Sequence, residues 1–197
     1  FPKSRNIRQL TFYLKYFVLI RELLKESLND IPDYLNEIIH YSGKSYNFLC
    51  GSIEETLLFN GNNDSDLSDF DKYLNIYKYK FVNNTNDLGG YSILKNKNIV
   101  MAMDIGSTPD KKFSENYQSG PLSFELIYKG NKIICNSGYF ANHKHKLNRI
   151  SKSSVAHSTV ILNNKSASTF KKKNGKNILE NGLKSLSKSI VFEKNFW

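Results

Sequence analysis

The stretch LSFELIYKGNKIICNSG, residues 122–138, decides the fold class. Its flanks LSFELIYK and KIICNSG are short runs rich in Ile, Phe and Tyr, and the Gly130–Asn131 pair between them is a turn signal, so the segment reads as an antiparallel hairpin. The pattern repeats upstream, where YSILKN (91–96) and NIVMAMDIG (98–106) flank a KNKN turn. Downstream, HSTVIL (157–162) and LKSLSKSIVFE (183–193) read as further strands, and the lysine-rich KKKNGKN (171–177) as a solvated loop. Short strands separated by turn signals, with no helical run among them, predict an antiparallel β-sandwich over residues 91–197.

Before Gly51 the apolar period is helical. Leu10, Leu14, Phe17, Val18, Leu24 and Leu28 share one stripe of a helix over Arg5–Leu28, while Phe12, Tyr13, Tyr16, Leu19, Ile20 and Leu23 cover much of the rest. Such a helix is packed on two sides. Asp30 as a cap and Pro32 in the first turn start a second helix through YLNEIIHYSGKSYNFL, with a weak point at Gly43. Residues 51–90 form a crossover: ETLLF as a strand closing on an Asn60–Gly61 turn, then an acidic linker with a short helix over about Ser68–Asn75. The expected architecture is mainly β, an antiparallel β-sandwich preceded by two α-helices, with boundaries at 1–50, 51–90 and 91–197.

The 197 residues suffice for one domain, or one plus a fragment, and 25 Phe and Tyr residues exclude general disorder. The most apolar run, YFVLI at 16–20, is fenced by Lys15 and Arg21 and falls far short of the roughly 20 residues of a membrane-spanning helix. The chain opens on Phe1 with no leader pattern, so it is expected to be a piece of a longer chain, with any export signal upstream. Cys50 and Cys135 form no recognisable motif and are expected to be buried small apolar residues. The net charge of +10 invites a polyanionic partner, although 24 Asn and many Lys suggest a compositional source for part of it. A nucleic-acid partner is not expected, because no recognition motif or aromatic platform accompanies the charge.

Chemistry-bearing residues are few. His143 and His145 form an H-x-H pair without a further ligand at metal-site spacing. The aspartates at 64, 66, 69 and 71 imitate a calcium loop, but Asp69 and Asn75 stand where that loop needs Gly and Glu. No phosphate-binding loop, dinucleotide fingerprint, nucleophile elbow or zinc-protease motif occurs. His157, in SSVAHSTVIL (153–162), stands where small hydroxyl residues give way to an apolar run. It reads either as a structural histidine at a strand mouth or as a site residue. Ser158 beside it would point to the opposite face of a strand, which argues against a Ser–His pair.

FSENYQSGPLSFELIYKGNKIICNSGYF, the basic HKHKLNRISK and SSVAHSTVILNN, taken in order, resemble the C-terminal β-sandwich domain of the heparinase II/III-like polysaccharide lyases. FPKSRNIRQLTFYLKYFVLI and YNFLCGSIEETLLFNG look like the last helices of that family's (α/α) toroid and its crossover. The resemblance implies β-elimination on uronic-acid-containing acidic glycans, an N-terminal toroid of the same chain as partner, and a place in the bacterial periplasm or cell envelope. It implies that the acid/base tyrosine lies in the toroid. It also implies a site in which zinc-bearing members hold the ion with two histidines and an aspartate. Those ligands fall on Gln118, Asn136 and His157, and a catalytic-type histidine falls on Asn116. Neutral amides are poor zinc ligands, so no metal or other cofactor is expected. His157 is the candidate catalytic residue, with Asn116, Gln118, Asn136, Arg149 and Lys152 as candidate substrate-binding residues. Tyr117 and Tyr139 are read as packing residues. The alternative is a catalytically silent carbohydrate-binding or scaffolding sandwich.

Overall fold

The computed structural model describes residues 1–51, 53, 55–63 and 67–189. Helix α1 (Ile7–Glu26) starts at Asn6, whose side chain accepts from the Gln9 N–H at 3.0 Å and so satisfies one of the donors left open at a helix start. It buries Ile7, Leu10, Leu14 and Val18, while Phe12, Tyr16, Ile20 and Leu23 remain exposed, so within the described chain only one side is covered. Helix α2 (Asp33–Tyr46) begins after Pro32, which makes no side-chain cap; Asp30 does not serve as one, contrary to expectation. Gly43 is no weak point either. A Cβ there would lie 2.1 Å from the Phe81 ring, so the glycine admits that ring against an unbroken helix, which then widens into a π turn at Asn47–Gly51. Helix α3 (Ser68–Ile76) lies where the sequence places it.

Five short strands follow: β1 (Asp87–Leu88), β2 (Tyr91–Lys95), β3 (Ile99–Asp104), β4 (Phe124–Tyr128) and β5 (Asn131–Ile134), a meander in chain order with every pair antiparallel. The β4–β5 turn residues are Lys129 and Gly130, both at positive φ, and Asn131 pairs with Tyr128 as the first residue of β5. The turn thus sits one residue earlier than read. After a short helix α4 (Lys146–Ser151), a second antiparallel sheet forms from β6 (Thr169–Lys173) and β7 (Lys176–Asn181). The antiparallel β-sandwich behind two helices is therefore present. Among the described residues strands hold 19% and helices 33%, so irregular segments carry much of the β part.

Three expected strands differ. Leu57–Phe59 is irregular chain with its apolar side chains buried, and the Asn60–Gly61 pair forms a turn outside any ladder. Residues 157–162 pass from a 3-10 turn (Ser154–Ala156) into irregular chain, with one bridge between Leu162 and Lys165. Residues 183–189 are irregular, and the rest of that expected strand, 190–193, lies outside the described residues. Conversely, KKKNGKN is no loop: it is the tip of the β6–β7 hairpin. Cys50 packs against both apolar clusters, whereas Cys135 is exposed.

The first of those clusters welds helices to sheet. Ile7 and Leu10 of α1, Phe48 and Leu49 of the π turn, and Ile93 and Ile127 of the sheet share it. The second, with Leu14, Val18, Leu35, Ile39, Phe70 and Leu74, holds α1, α2 and α3 together. A buried ion pair reinforces the weld. The Arg5 guanidinium donates to Asp104 Oδ1 at 2.6 Å and to the Gly90 carbonyl at 2.9 Å, and Asn60 donates to Asp104 Oδ2 at 2.8 Å. Burial alone would lower the Arg5 pKa, but attraction to Asp104 outweighs it and holds the group above its ordinary value. Gly90 and Gly106 leave the space this needs, since a Cβ on either would meet the guanidinium at 2.8 and 2.5 Å.

Candidate functional site

Three chain segments meet at one rim: residues 116–120 before β4, 136–138 after β5, and 151–158 after α4. Gln118 holds them together. Its Nε2 donates to the Gly138 carbonyl at 2.9 Å and the Ser151 carbonyl at 2.7 Å, while its Oε1 accepts from the Gly61 N–H at 2.9 Å. Two carbonyls at one end and an N–H at the other fix which end of the amide is which. The residue is 1% exposed.

His157 shares one of those partners. Its Nε2 lies 3.1 Å from the same Ser151 carbonyl, and a carbonyl only accepts, so Nε2 carries the hydrogen and Nδ1 keeps its lone pair. Burial lowers the imidazole to about 4, the Ser151 carbonyl opposing this only in part, so the ring is neutral at physiological pH. Nδ1 has no hydrogen-bond partner among the described residues. Gly120 lies beneath the ring, and a Cβ there would stand 3.1 Å from His157 Cγ.

Asn136 belongs to the same rim but touches the neighbour of His157. Its Nδ2 donates to Glu125 Oε1 at 2.9 Å, and its Oδ1 accepts from the Ser158 N–H at 3.2 Å. Glu125 also accepts from the Leu58 N–H at 2.9 Å, while its Oε2 is buried without a partner. Burial raises its pKa, with the Asn136 and Leu58 bonds opposing. The imidazole is thus linked to one carboxamide through a shared carbonyl and to the other through the next residue. The imidazole makes no hydrogen bond to either carboxamide.

The remaining candidates divide by availability. Lys152 is 1% exposed and sits in no solvated loop. Its ammonium donates to the Glu115 carbonyl and, at 2.8 Å, to the Asn177 carbonyl, beneath the Phe170 ring at 4.9 Å. Burial pulls it down to about 8, with Glu115 opposing. Arg149 is exposed, Asn116 is half-buried, and neither side chain has a hydrogen-bond partner among the described residues. The His pair is divided: His143 faces Glu115 at 3.5 Å, while His145 accepts from the Leu147 N–H as the cap of α4. Tyr117 is buried at 1%, and Tyr139 accepts from Asn148. Groups open to a ligand are therefore Asn116, Arg149 and the Nδ1 face of His157, whereas Gln118, Asn136 and Lys152 are committed to the fold.

Sequence reasoning missed Glu125, Asp104 and the Ser151 carbonyl. In LSFELIYK the alternation invites Phe124 and Leu126 inward, yet Glu125 and Ile127 are the buried pair. Asp104, ending an apolar strand, was the one visible sign of a buried acid.

The fold is that of the β-sandwich module found in heparinases. The family described as heparinase II/III-like, C-terminal, matches residues 85–188, more than half of the sequence, and the chain belongs to the heparinase II/III-like family. Among solved structures, heparan sulfate lyase HepC from Pedobacter heparinus superposes with a TM-score of 0.66 at 15% identity, over 89% of this chain and 33% of that one. The heparinase III BT4657 gene product gives 0.68 at 13% identity over 83% and 30%, and another heparinase III gives 0.63 at 15% over 87% and 34%. The chain thus spans about a third of their length. No curated protein matches it. No described helix is long and apolar enough to cross a membrane.

The zinc site implied for some relatives does not fit these residues. The Gln118 amide turns its NH₂ toward two carbonyls and spends its oxygen on Gly61, the Asn136 oxygen is bonded to Ser158, and His157 Nε2 carries a hydrogen toward Ser151. Among the described residues no three His, Cys, Asp or Glu side chains gather at a metal-binding distance.

Proposed function

We propose that this chain is the C-terminal β-sandwich part of a heparinase II/III-like polysaccharide lyase that cleaves uronic-acid-containing acidic glycans by β-elimination, in the periplasm or cell envelope and together with a helical toroid. The reading is supported by one observation above all: within the family match, the segments bearing Asn116, Gln118, Asn136 and His157 meet at a single rim. β-Elimination moves the proton beside the uronate carboxylate to a base, breaks the bond to the glycosidic oxygen and leaves a double bond conjugated with the carboxylate. The oxygen departs with a proton from an acid. In this chain the Asn116 amide and the Arg149 guanidinium are the groups able to hold a carboxylate as charge moves onto it. His157 Nδ1 is an acceptor that positions a substrate hydroxyl. Its low basicity makes it a poor proton acceptor at pH 7, so the base comes from the toroid in this reading.

The test is an assay of the intact protein on heparan sulfate and other uronate polymers, following the ultraviolet absorbance of the unsaturated product. Product that falls at least tenfold with His157→Ala or Asn116→Ala supports the lyase; no product from any uronate polymer sinks it. A catalytically silent carbohydrate-binding sandwich is the second reading, favoured by the commitment of Gln118 and Asn136 to internal bonds. Glycan binding without product would establish that instead.

A further inference from the structure

The net charge of +10 is not spread along the chain. Residues 1–139 carry 16 Lys and Arg against 16 Asp and Glu, and residues 190–197 one of each. Residues 140–189 carry 11 against one, Glu180, so the whole excess resides in this stretch. A compositional bias toward lysine would not respect such a boundary.

Four of these eleven cations stand on one hairpin. Lys171, Lys172, Lys173 and Lys176 lie on the β6–β7 hairpin, and all are exposed. Its tip is the Asn174–Gly175 pair at φ 49° and 78°, a tight two-residue turn. Phe170 and Leu179, paired across the ladder, turn inward, with Phe170 6.4 Å from Tyr117. Alternation then puts Lys171 and Lys173 on the outer face, roughly 7 Å apart along the strand. Lys173 stands directly opposite Lys176, a like-charge pair that Glu115 relieves only on the Lys176 side. Only Lys176 has a carboxylate partner, Glu115 at 2.9 Å; Lys171, Lys172 and Lys173 have none among the described residues.

The hairpin is also held rigidly to α4 and the rim. Asn177 donates to Asn148 Oδ1 at 2.9 Å, its carbonyl accepts from the buried Lys152 ammonium, and Ser114 Oγ accepts from the Leu179 N–H at 3.0 Å. Lys152 directly follows Ser151, whose carbonyl bonds Gln118 and His157. Helix α4 is thus tied to the hairpin through Asn148 and to the rim through Ser151, and its Lys146 and Arg149 are exposed.

We propose that the outer face of the β6–β7 hairpin and the exposed side of α4 form a docking track for a sulfated or carboxylated polysaccharide, leading to the His157 rim. This rests on the acidic-glycan reading above and adds a binding site separate from the reacting groups. A glycan fits better than a nucleic acid because the outer face offers point charges and no aromatic ring for a base to stack on.

The experiment compares binding of heparan sulfate and of single-stranded DNA by the full chain, over a salt series, for the parent and two triple variants. One carries Lys171→Gln, Lys173→Gln and Lys176→Gln; the other carries Lys15→Gln, Lys80→Gln and Lys97→Gln, exposed lysines elsewhere with the same loss of charge. Thermal unfolding confirms that both remain folded. The hairpin variant is expected to bind heparan sulfate more than about tenfold more weakly at physiological salt, with a salt slope smaller by about two to three. The control variant is expected to bind within about twofold of the parent. Equal losses in both variants, no loss in the hairpin variant, or DNA bound as tightly as heparan sulfate would each overturn the proposal. Binding failure with product still formed defeats the track alone, whereas hairpin-dependent binding without product defeats the lyase reading alone.

Discussion

Gln118→Ala removes the side chain that ties three segments, and its cost can be worked from the contacts. The amide makes three hydrogen bonds of 2.7–2.9 Å in a residue 1% exposed. Each contributes about 1 kcal/mol net, and the truncation also leaves the Gly61 N–H buried without an acceptor, which costs about 1–3 kcal/mol more. The Ser151 carbonyl keeps His157, so its loss is partial. The expected destabilisation is about 3–5 kcal/mol, a large share of the roughly 5–15 kcal/mol of a typical domain. Urea unfolding followed by tryptophan-independent circular dichroism measures it, with Gln118→Glu as a second variant. The glutamate keeps the acceptor for Gly61 but sets a second oxygen against two carbonyls, so it should be at least as damaging. A loss below about 1 kcal/mol in both variants would refute the idea that this amide holds the rim.

Asp104→Ala leaves the buried Arg5 guanidinium without its counter-ion and is expected to cost about 3–5 kcal/mol in the same unfolding assay; an unchanged midpoint would show that the helices and the sheet are not joined there. Glu125→Gln removes a carboxyl whose burial raises its pKa, so the variant should gain stability relative to the parent as pH rises through that value. A difference that is flat with pH would contradict it. His157, lowered from 6.5 to about 4, contributes stability that is fully present above pH 6.5 and is lost as pH falls through 4. The expected loss is about 3 kcal/mol, and it should be absent in His157→Gln.

The parts of the fold legible in the sequence were those with a strong local signal. Tyr91–Lys95, Ile99–Asp104 and the β4–β5 hairpin combine β-forming runs with turn residues, and α1 shows its buried stripe. Two of the failures share one cause. Leu57–Phe59 and the region around Val160–Leu162 are apolar enough for strands, but side-chain and long-range bonds to Glu125, Asn136 and Pro121 organise them instead of a ladder. The Asn174–Gly175 turn carried the same signal as Asn60–Gly61, yet its flanks are lysines, because only Phe170 and Leu179 of that ribbon need burial. At the rim, the resemblance named Gln118, Asn136 and His157, and bonds through Ser151 and Ser158 bring their segments together. Their bonding pattern was not legible, because it runs through the backbone carbonyl of Ser151 and the carboxyl of Glu125, which no spacing rule connects to them.

Nitrogen-15 NMR of the His157 ring, followed through an acid titration, tests the convergence at Ser151 most directly. A ring shared with Gln118 on one carbonyl stays neutral with its hydrogen on Nε2 and takes up a proton only near pH 4. A midpoint near 6.5, or the hydrogen on Nδ1, would mean that the three segments do not meet as described.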